Sequence, residues 1–228
     1  MPRSKNGGAA IGSGGFGCVF KPALKCKNSN KRTIGISKLL ITKEAEQEYK
    51  LLQNIEDVVK TIKDNRRYFL LYEISMCKPD KLTETDLQKF DEKCKLFKRE
   101  DDNSKKLNIN KDLNKLSIIN MPYGGVDLSY ILEIIKLDSP NGLQKLNTHM
   151  VKLLKNGIIP LNKKDVYHTD IKPENILVLE QDGLPRLIDW GGALIDNGKL
   201  NEYDGRPMQF NQPLSLLTVH PMFIVEYN

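Results

Sequence analysis

Tyr167-His168-Thr169-Asp170-Ile171-Lys172-Pro173-Glu174-Asn175-Ile176-Leu177 carries the densest chemistry in this 228-residue chain. Asp170 and Asn175 stand five positions apart, on a polar loop that runs into an apolar, strand-like end. A carboxylate so placed can accept a hydroxyl proton, and an Asn amide oxygen can ligate Mg²⁺. Lys172 adds a cation able to neutralise a transferring phosphoryl group. A polar surface turn is the plainer reading, but a turn does not need each of these chemical types at its place.

Working outward, Leu187-Ile188-Asp189-Trp190-Gly191-Gly192 follows, with Asp189 fourteen residues after Asn175. An Asp at the end of a short apolar strand, followed by glycines, suits a metal carboxylate on a loop. Far upstream lies Gly12-Ser13-Gly14-Gly15-Phe16-Gly17-Cys18-Val19. Glycines at this spacing let backbone N–H groups approach phosphate oxygens, because no Cβ intervenes. A dinucleotide fold would need a helix directly after them. Here Cys18-Val19-Phe20 is strand-like and Pro22 follows, so a glycine-rich hairpin is favoured. No Gly-Lys-Ser/Thr occurs, which removes a Walker-type phosphate loop.

The elements between these motifs come in the order strands, then helices, an α+β arrangement of two lobes joined near Tyr123-Gly124-Gly125. Ala10-Ile11, Cys18–Phe20, Ile34–Ile41, Tyr68–Ile74 and Leu116–Met121 read as strands. A helix is expected from Thr42, with Thr42 as its cap and Leu51, Leu52, Ile55, Val58 and Val59 on its apolar face. Residues 78–115 hold 11 Lys/Arg and 9 Asp/Glu among 38 and read as a charged insertion, in which Leu87, Phe90, Cys94 and Phe97 suit one amphipathic helix. Leu128–Leu137 and Leu143–Leu154 are further helices, the second ending near Asn156-Gly157, and Asn175–Leu179 and Leu187–Ile188 are short strands.

With three motifs in order, the chain resembles the eukaryotic-type serine/threonine protein kinase superfamily over residues 9–195, and among its members the divergent kinases of large DNA viruses. The resemblance implies a two-lobed kinase-like fold. Residues 1–120 would form an N-lobe of antiparallel sheet plus one helix, and 121–125 the hinge. A mainly helical C-lobe, 126–228, would hold the catalytic loop and the start of an activation segment. The resemblance also implies ATP and Mg²⁺ as cofactors. Gly12, Gly14 and Gly17 would cover the phosphates with Phe16 at the loop tip, while Val19 and Leu177 sandwich the adenine. Lys38 would hold the α- and β-phosphates with Glu48 as its ion-pair partner, Glu44 and Glu46 being rivals for that place. Asp170 would be the catalytic base, Lys172 the γ-phosphate contact, and Asn175 and Asp189 the metal ligands. Three departures carry consequences. Ile36 replaces the usual Ala and narrows the adenine pocket. Thr169 replaces the usual Arg, so activity would not be switched by an activation-loop phosphate. Trp190 replaces Phe in a packing role. His168 would support the loop rather than titrate.

The expected activity is transfer of the ATP γ-phosphoryl group to serine or threonine hydroxyls of a protein substrate. A small-molecule phosphotransferase of the same superfamily, or a kinase-like scaffold, are the other readings. The +6 formal charge comes from dispersed lysines interleaved with acids and does not signal a nucleic-acid partner. No uncharged apolar run reaches the ~18 residues of a membrane span, and no export signal is read, so a cytoplasmic location (host cytoplasm or virion, for a viral chain) and free thiols at Cys18, Cys26, Cys77 and Cys94 are expected. After Asp189 only 39 residues remain, so the C-lobe reads as truncated or unusually short, with an apolar stretch at Pro213–Val219.

Overall fold

The computed structural model describes residues 8–14, 17–29, 34–94, 109–134, 140–180 and 182–195. The chain divides into two units, one of residues 1–53 with 71–123, the other of residues 54–70 with 124–228.

In the first unit the glycine motif folds as an antiparallel hairpin, β1 (Ala9–Gly14) and β2 (Gly17–Lys21), with Gly14 opposite Gly17. β3 (Ile36–Ile41) pairs with β2 and leads without a loop into α1 (Thr42–Val59). β4 (Ser75–Cys77), α2 (Glu84–Leu87), α3 (Phe90–Lys93) and β5 (Leu116–Met121) follow. The sheet has five strands in the order β1-β2-β3-β5-β4, every neighbour antiparallel. Side chains alternate across a strand, so Cys18 and Phe20 enter the core while Val19 faces the other way, opposite Lys38.

The core of this unit takes in apolar side chains from the charged segment 78–115. Leu82, Phe90, Cys94 and Ile109 join Phe20, Leu39, Leu116 and Ile118 in one buried cluster, and Phe20 and Phe90 stack with centroids 6.3 Å apart. The single amphipathic helix expected there is two short ones, the first capped reciprocally by Thr83 and Asp86. Phe97 lies outside the described residues.

The cysteines are also corrected. Cys18 bonds to Cys94 and Cys26 to Cys77, and none of the four is free. Sequence spacing carries no trace of this, because the partners lie 76 and 51 residues apart and meet only in the folded unit. Thr42 does not act as a cap. It is the first residue of α1, and its hydroxyl accepts from Lys78 Nζ at 2.6 Å and Ser117 Oγ at 3.2 Å.

Tyr68–Ile74 does not form a strand either. Only Phe69 makes a bridge, to Leu187, and the strand starts at Ser75. Tyr68, Phe69 and Leu70 are nonetheless buried, and a short buried apolar run looks the same in sequence whether or not it is hydrogen-bonded in a sheet.

The second unit begins its second stretch with β6 (Val126–Asp127) and α4 (Leu128–Ile134). Asp127 caps α4, accepting from the Tyr130 N–H at 2.9 Å and from the Ser129 hydroxyl, and the Ser129 hydrogen bond holds its carboxyl below the ordinary value. Next comes α5 (Pro140–Lys152), which does not stop at Asn156-Gly157. It passes through a π-helical segment, Leu153–Ile158, into α6 (Ile159–Asn162). Gly157 is there for packing: a Cβ on it would stand 2.9 Å from Tyr68 Cβ and 3.3 Å from Phe69 Cζ. β7 (Val166–Tyr167), β8 (Ile176–Val178), β9 (Pro185–Leu187) and β10 (Leu194–Ile195) follow among the described residues, in two small sheets ordered β6-β8-β9 and β10-β7. Arg186, nearly buried, ties β9 down by donating to the Arg66 carbonyl at 3.0 Å and pairing with Asp182. Among the described residues no helix is long and apolar enough to cross a membrane. Pro213–Val219 lies outside the described residues.

Candidate active site

The loop between β7 and β8 owes its shape to side chains bonding its own backbone. His168, 3% exposed, accepts from the Asp170 N–H at Nδ1 (3.3 Å) and sets Nε2 2.7 Å from the Ile188 carbonyl. With Nδ1 accepting, Nε2 carries the proton and donates, so this arrangement uses the neutral imidazole. The ring also meets the edge of Trp190 at 4.7 Å, and Trp190 in turn meets Phe69 at 5.7 Å. Thr169 takes a left-handed backbone, φ 60°, which costs a β-branched residue energy. Its hydroxyl donates to the Gly192 carbonyl at 2.5 Å, which fastens the loop to the Asp189–Gly192 turn.

This scaffold gathers three of the residues singled out in the sequence. Lys172 Nζ stands 2.9 Å from Asp170 Oδ2, and Asn175 Nδ2 donates to the same oxygen at 2.9 Å and to the Asp170 carbonyl at 2.8 Å. Asp170 and Asn175 are 6% and 5% exposed, so the carboxylate is aimed by fixed donors rather than by water. Ile188 N–H closes the loop on the Asn175 carbonyl at 3.0 Å. One residue further, Asp189 is exposed and also left-handed, φ 59° and ψ 67°, and its carboxylate makes no hydrogen bond among the described residues.

Asn175 spends its amide protons on Asp170, which leaves its amide oxygen for another partner. That oxygen and the Asp189 carboxylate are hard donors, the type Mg²⁺ takes alongside phosphate and water oxygens. Among the described residues no group of three or more His, Cys, Asp and Glu side chains could hold an ion alone. Asn175 and Asp189 are thus residues that could supply part of a Mg²⁺ coordination shell.

In the first unit, Lys38 Nζ lies 2.7 Å from both carboxylate oxygens of Glu48, with side chains 12% and 14% exposed. Of the three candidate glutamates, Glu48 is the one that makes this pair. Glu44, one turn earlier on α1, has one buried carboxylate oxygen without a hydrogen bond. Burial first, then the Glu48 charge, raises its carboxyl above the ordinary 4.5, against a smaller pull from Lys38.

The glycines separate by physical role. A Cβ on Gly17 would stand 2.6 Å from the Leu39 carbonyl oxygen, so strand contact alone requires glycine there. A Cβ on Gly12 would meet nothing within 4 Å, so no protein neighbour demands its absence. Gly14 ends β1, and Val19 is half-buried beside Lys38. Leu177 is half-buried on β8, its side chain against Gly124. Phe16 lies outside the described residues. The Thr169–Gly192 and His168–Ile188 bonds escape sequence reading, because each depends on which backbone carbonyl the fold brings near.

The architecture and these residue groupings are those of an α+β protein compatible with a kinase-like relationship. No protein-family model matches the chain. Over 75 residues, 33% of this chain, it is 38% identical to the serine/threonine-protein kinase KSP1 of Saccharomyces cerevisiae, and the match spans 7% of that protein's length.

Proposed function

We propose that the chain is an ATP-dependent serine/threonine protein kinase. The observation that carries this reading is the buried Asp170 carboxylate, held by both Lys172 and Asn175 within a six-residue stretch. Phosphoryl transfer needs little covalent help from a protein. It needs positioned oxygens, spread charge and an acceptor for the hydroxyl proton.

Each group has a task matched to its chemistry. Asp170 accepts the proton of the attacking hydroxyl, and its two donors keep the second oxygen from rotating. Lys172 is within reach of charge developing on the transferred group. Lys38, oriented by both Glu48 oxygens, binds phosphate oxygens of the nucleotide. The hairpin glycines bring backbone N–H groups to the same phosphates, and Val19 and Leu177 offer apolar surface to the adenine. Asn175 and Asp189 would hold Mg²⁺, which when bound neutralises phosphate charge. Lys172 standing between Asp170 and Asn175, together with the partial match to a yeast serine/threonine-protein kinase, supports a protein hydroxyl as acceptor.

The test is transfer of labelled phosphate from Mg·ATP to a generic basic protein. Asp189→Asn and Asp170→Asn should each lower the rate by at least ~100-fold while leaving the circular-dichroism melting curve close to that of the parent. Undiminished transfer by either variant would overturn the assignment. Transfer to aminoglycosides or sugars with none to protein would move it to the small-molecule enzymes.

A further inference from the structure

The second unit contains a cavity of about 430 Å³ that none of the residues assigned above lines. Its walls come from the turn after α1 and from the π-helical segment and α6, and they include Lys63, Lys155, Lys164, Asp64, Tyr68 and Asn156. Three ammonium groups thus face one carboxylate. Some lysines elsewhere are matched, Lys25 with Asp80, Lys60 with Glu56 and Asp57, and Lys115 with Asp112. Among the described residues, Lys63, Lys155 and Lys164 make no ion pair. A smaller cavity in the first unit, about 150 Å³, is lined by Lys25 and Lys81 against Asp80 and Asp86 and so is balanced.

Gathering like charges around a concavity with one counter-charge is unfavourable unless an anion answers them. The wall also offers a neutral donor. Tyr68 is 8% exposed, and its hydroxyl accepts from Asn156 Nδ2 at 3.3 Å, which leaves the phenol proton to be donated elsewhere. Lys155 and Asn156 belong to the π-helical segment, a costly irregularity that occurs often at ligand sites. The volume lies within the ~300–1,000 Å³ range of small-molecule sites.

We propose that this cavity is a binding site for a small phosphate-bearing anion, separate from the phosphotransfer site and independent of that reading. A phosphoryl group presents three acceptor oxygens and close to two negative charges, which suits several ammonium donors and a phenol better than a single carboxylate would.

The experiment is a thermal-shift and calorimetric titration of the full chain with inorganic pyrophosphate. EDTA is included to remove divalent metal, and sodium chloride of matched ionic strength serves as control. Saturable 1:1 binding is expected, with an upshift of roughly 5 °C at a hundredfold excess over Kd. K155A/K164A should weaken it at least tenfold, and Tyr68→Phe, which removes only the hydroxyl, severalfold. Lys111→Ala, away from the cavity, should bind as the parent does. Lys38→Met should also retain binding, since the phosphates of a nucleotide are held elsewhere. Absence of saturation, an unchanged Kd in K155A/K164A, or loss of binding in Lys38→Met would overturn the proposal. Equal stabilisation by citrate would overturn the assignment to phosphate.

Discussion

Gly12 and Gly17 sit in the same motif but answer to different forces. Gly17 abuts the Leu39 carbonyl, so Gly17→Ala must push strands β2 and β3 apart, and it should lower stability by about 2 kcal/mol in a denaturant titration. Gly12 faces open space, so Gly12→Ala should unfold with the parent. If the hairpin covers phosphates, the added methyl will instead raise the KM for ATP several-fold. Glu44 is the other residue whose environment makes a prediction. At a pH well below 4.5 it is protonated in both folded and unfolded chains and has no effect on stability. As pH rises, the unfolded chain ionises first while burial and Glu48 resist ionisation in the folded one, so stability is lost until the raised folded pKa is passed. Glu44→Gln should therefore melt above the parent at pH 7, and the gap should close as the pH falls towards ~4. A gap that widens in acid would refute this account.

At the scale of the element, the helix running from α5 through Leu153–Ile158 into α6 shows propensity losing to packing. Asn156-Gly157 has the composition of a helix end, and Ala at 157 would be favoured by about 1 kcal/mol on helix propensity alone. The structure places that backbone against Tyr68 and Phe69, where a Cβ would come within 2.9 Å. Gly157→Ala should therefore destabilise the protein, by about 1–3 kcal/mol, measured by urea unfolding. A stabilising result would show that the ring of Tyr68 can move aside. The loop between β7 and β8 shows the converse. Its residue types are local and legible, but its shape depends on Ile188, Trp190 and Gly192, which arrive from the next strand and turn.

For the whole molecule, the two disulfides make the clearest prediction. Each closes a long loop, of 76 and 51 residues, and by the chain-entropy argument each restricts the unfolded chain by about 4 kcal/mol. Thiol titration of the native protein should find none of the four cysteines reactive. Reduction should lower the melting temperature by several degrees, and Cys94→Ser should reproduce part of that fall. Four reactive thiols in the untreated, folded chain would contradict the pairing.

The sequence by itself determined that Asp170, Lys172 and Asn175 come together, because they lie within one loop and their meeting needs only local backbone geometry. It also determined the glycine hairpin and the β3–α1 junction, where alternation and helical periodicity are local signals. Only the tertiary structure decided which glutamate pairs with Lys38, since Glu44, Glu46 and Glu48 share one helical stretch and differ in rotation about its axis. It also decided that Leu82, Phe90 and Cys94 join the core of the first unit, that Tyr68–Leu70 is buried without becoming a strand, and that the cysteines pair. The physical reason is common to the last three. Contacts between residues tens of positions apart are chosen by burial of apolar surface across the whole chain, and no window of sequence records that choice.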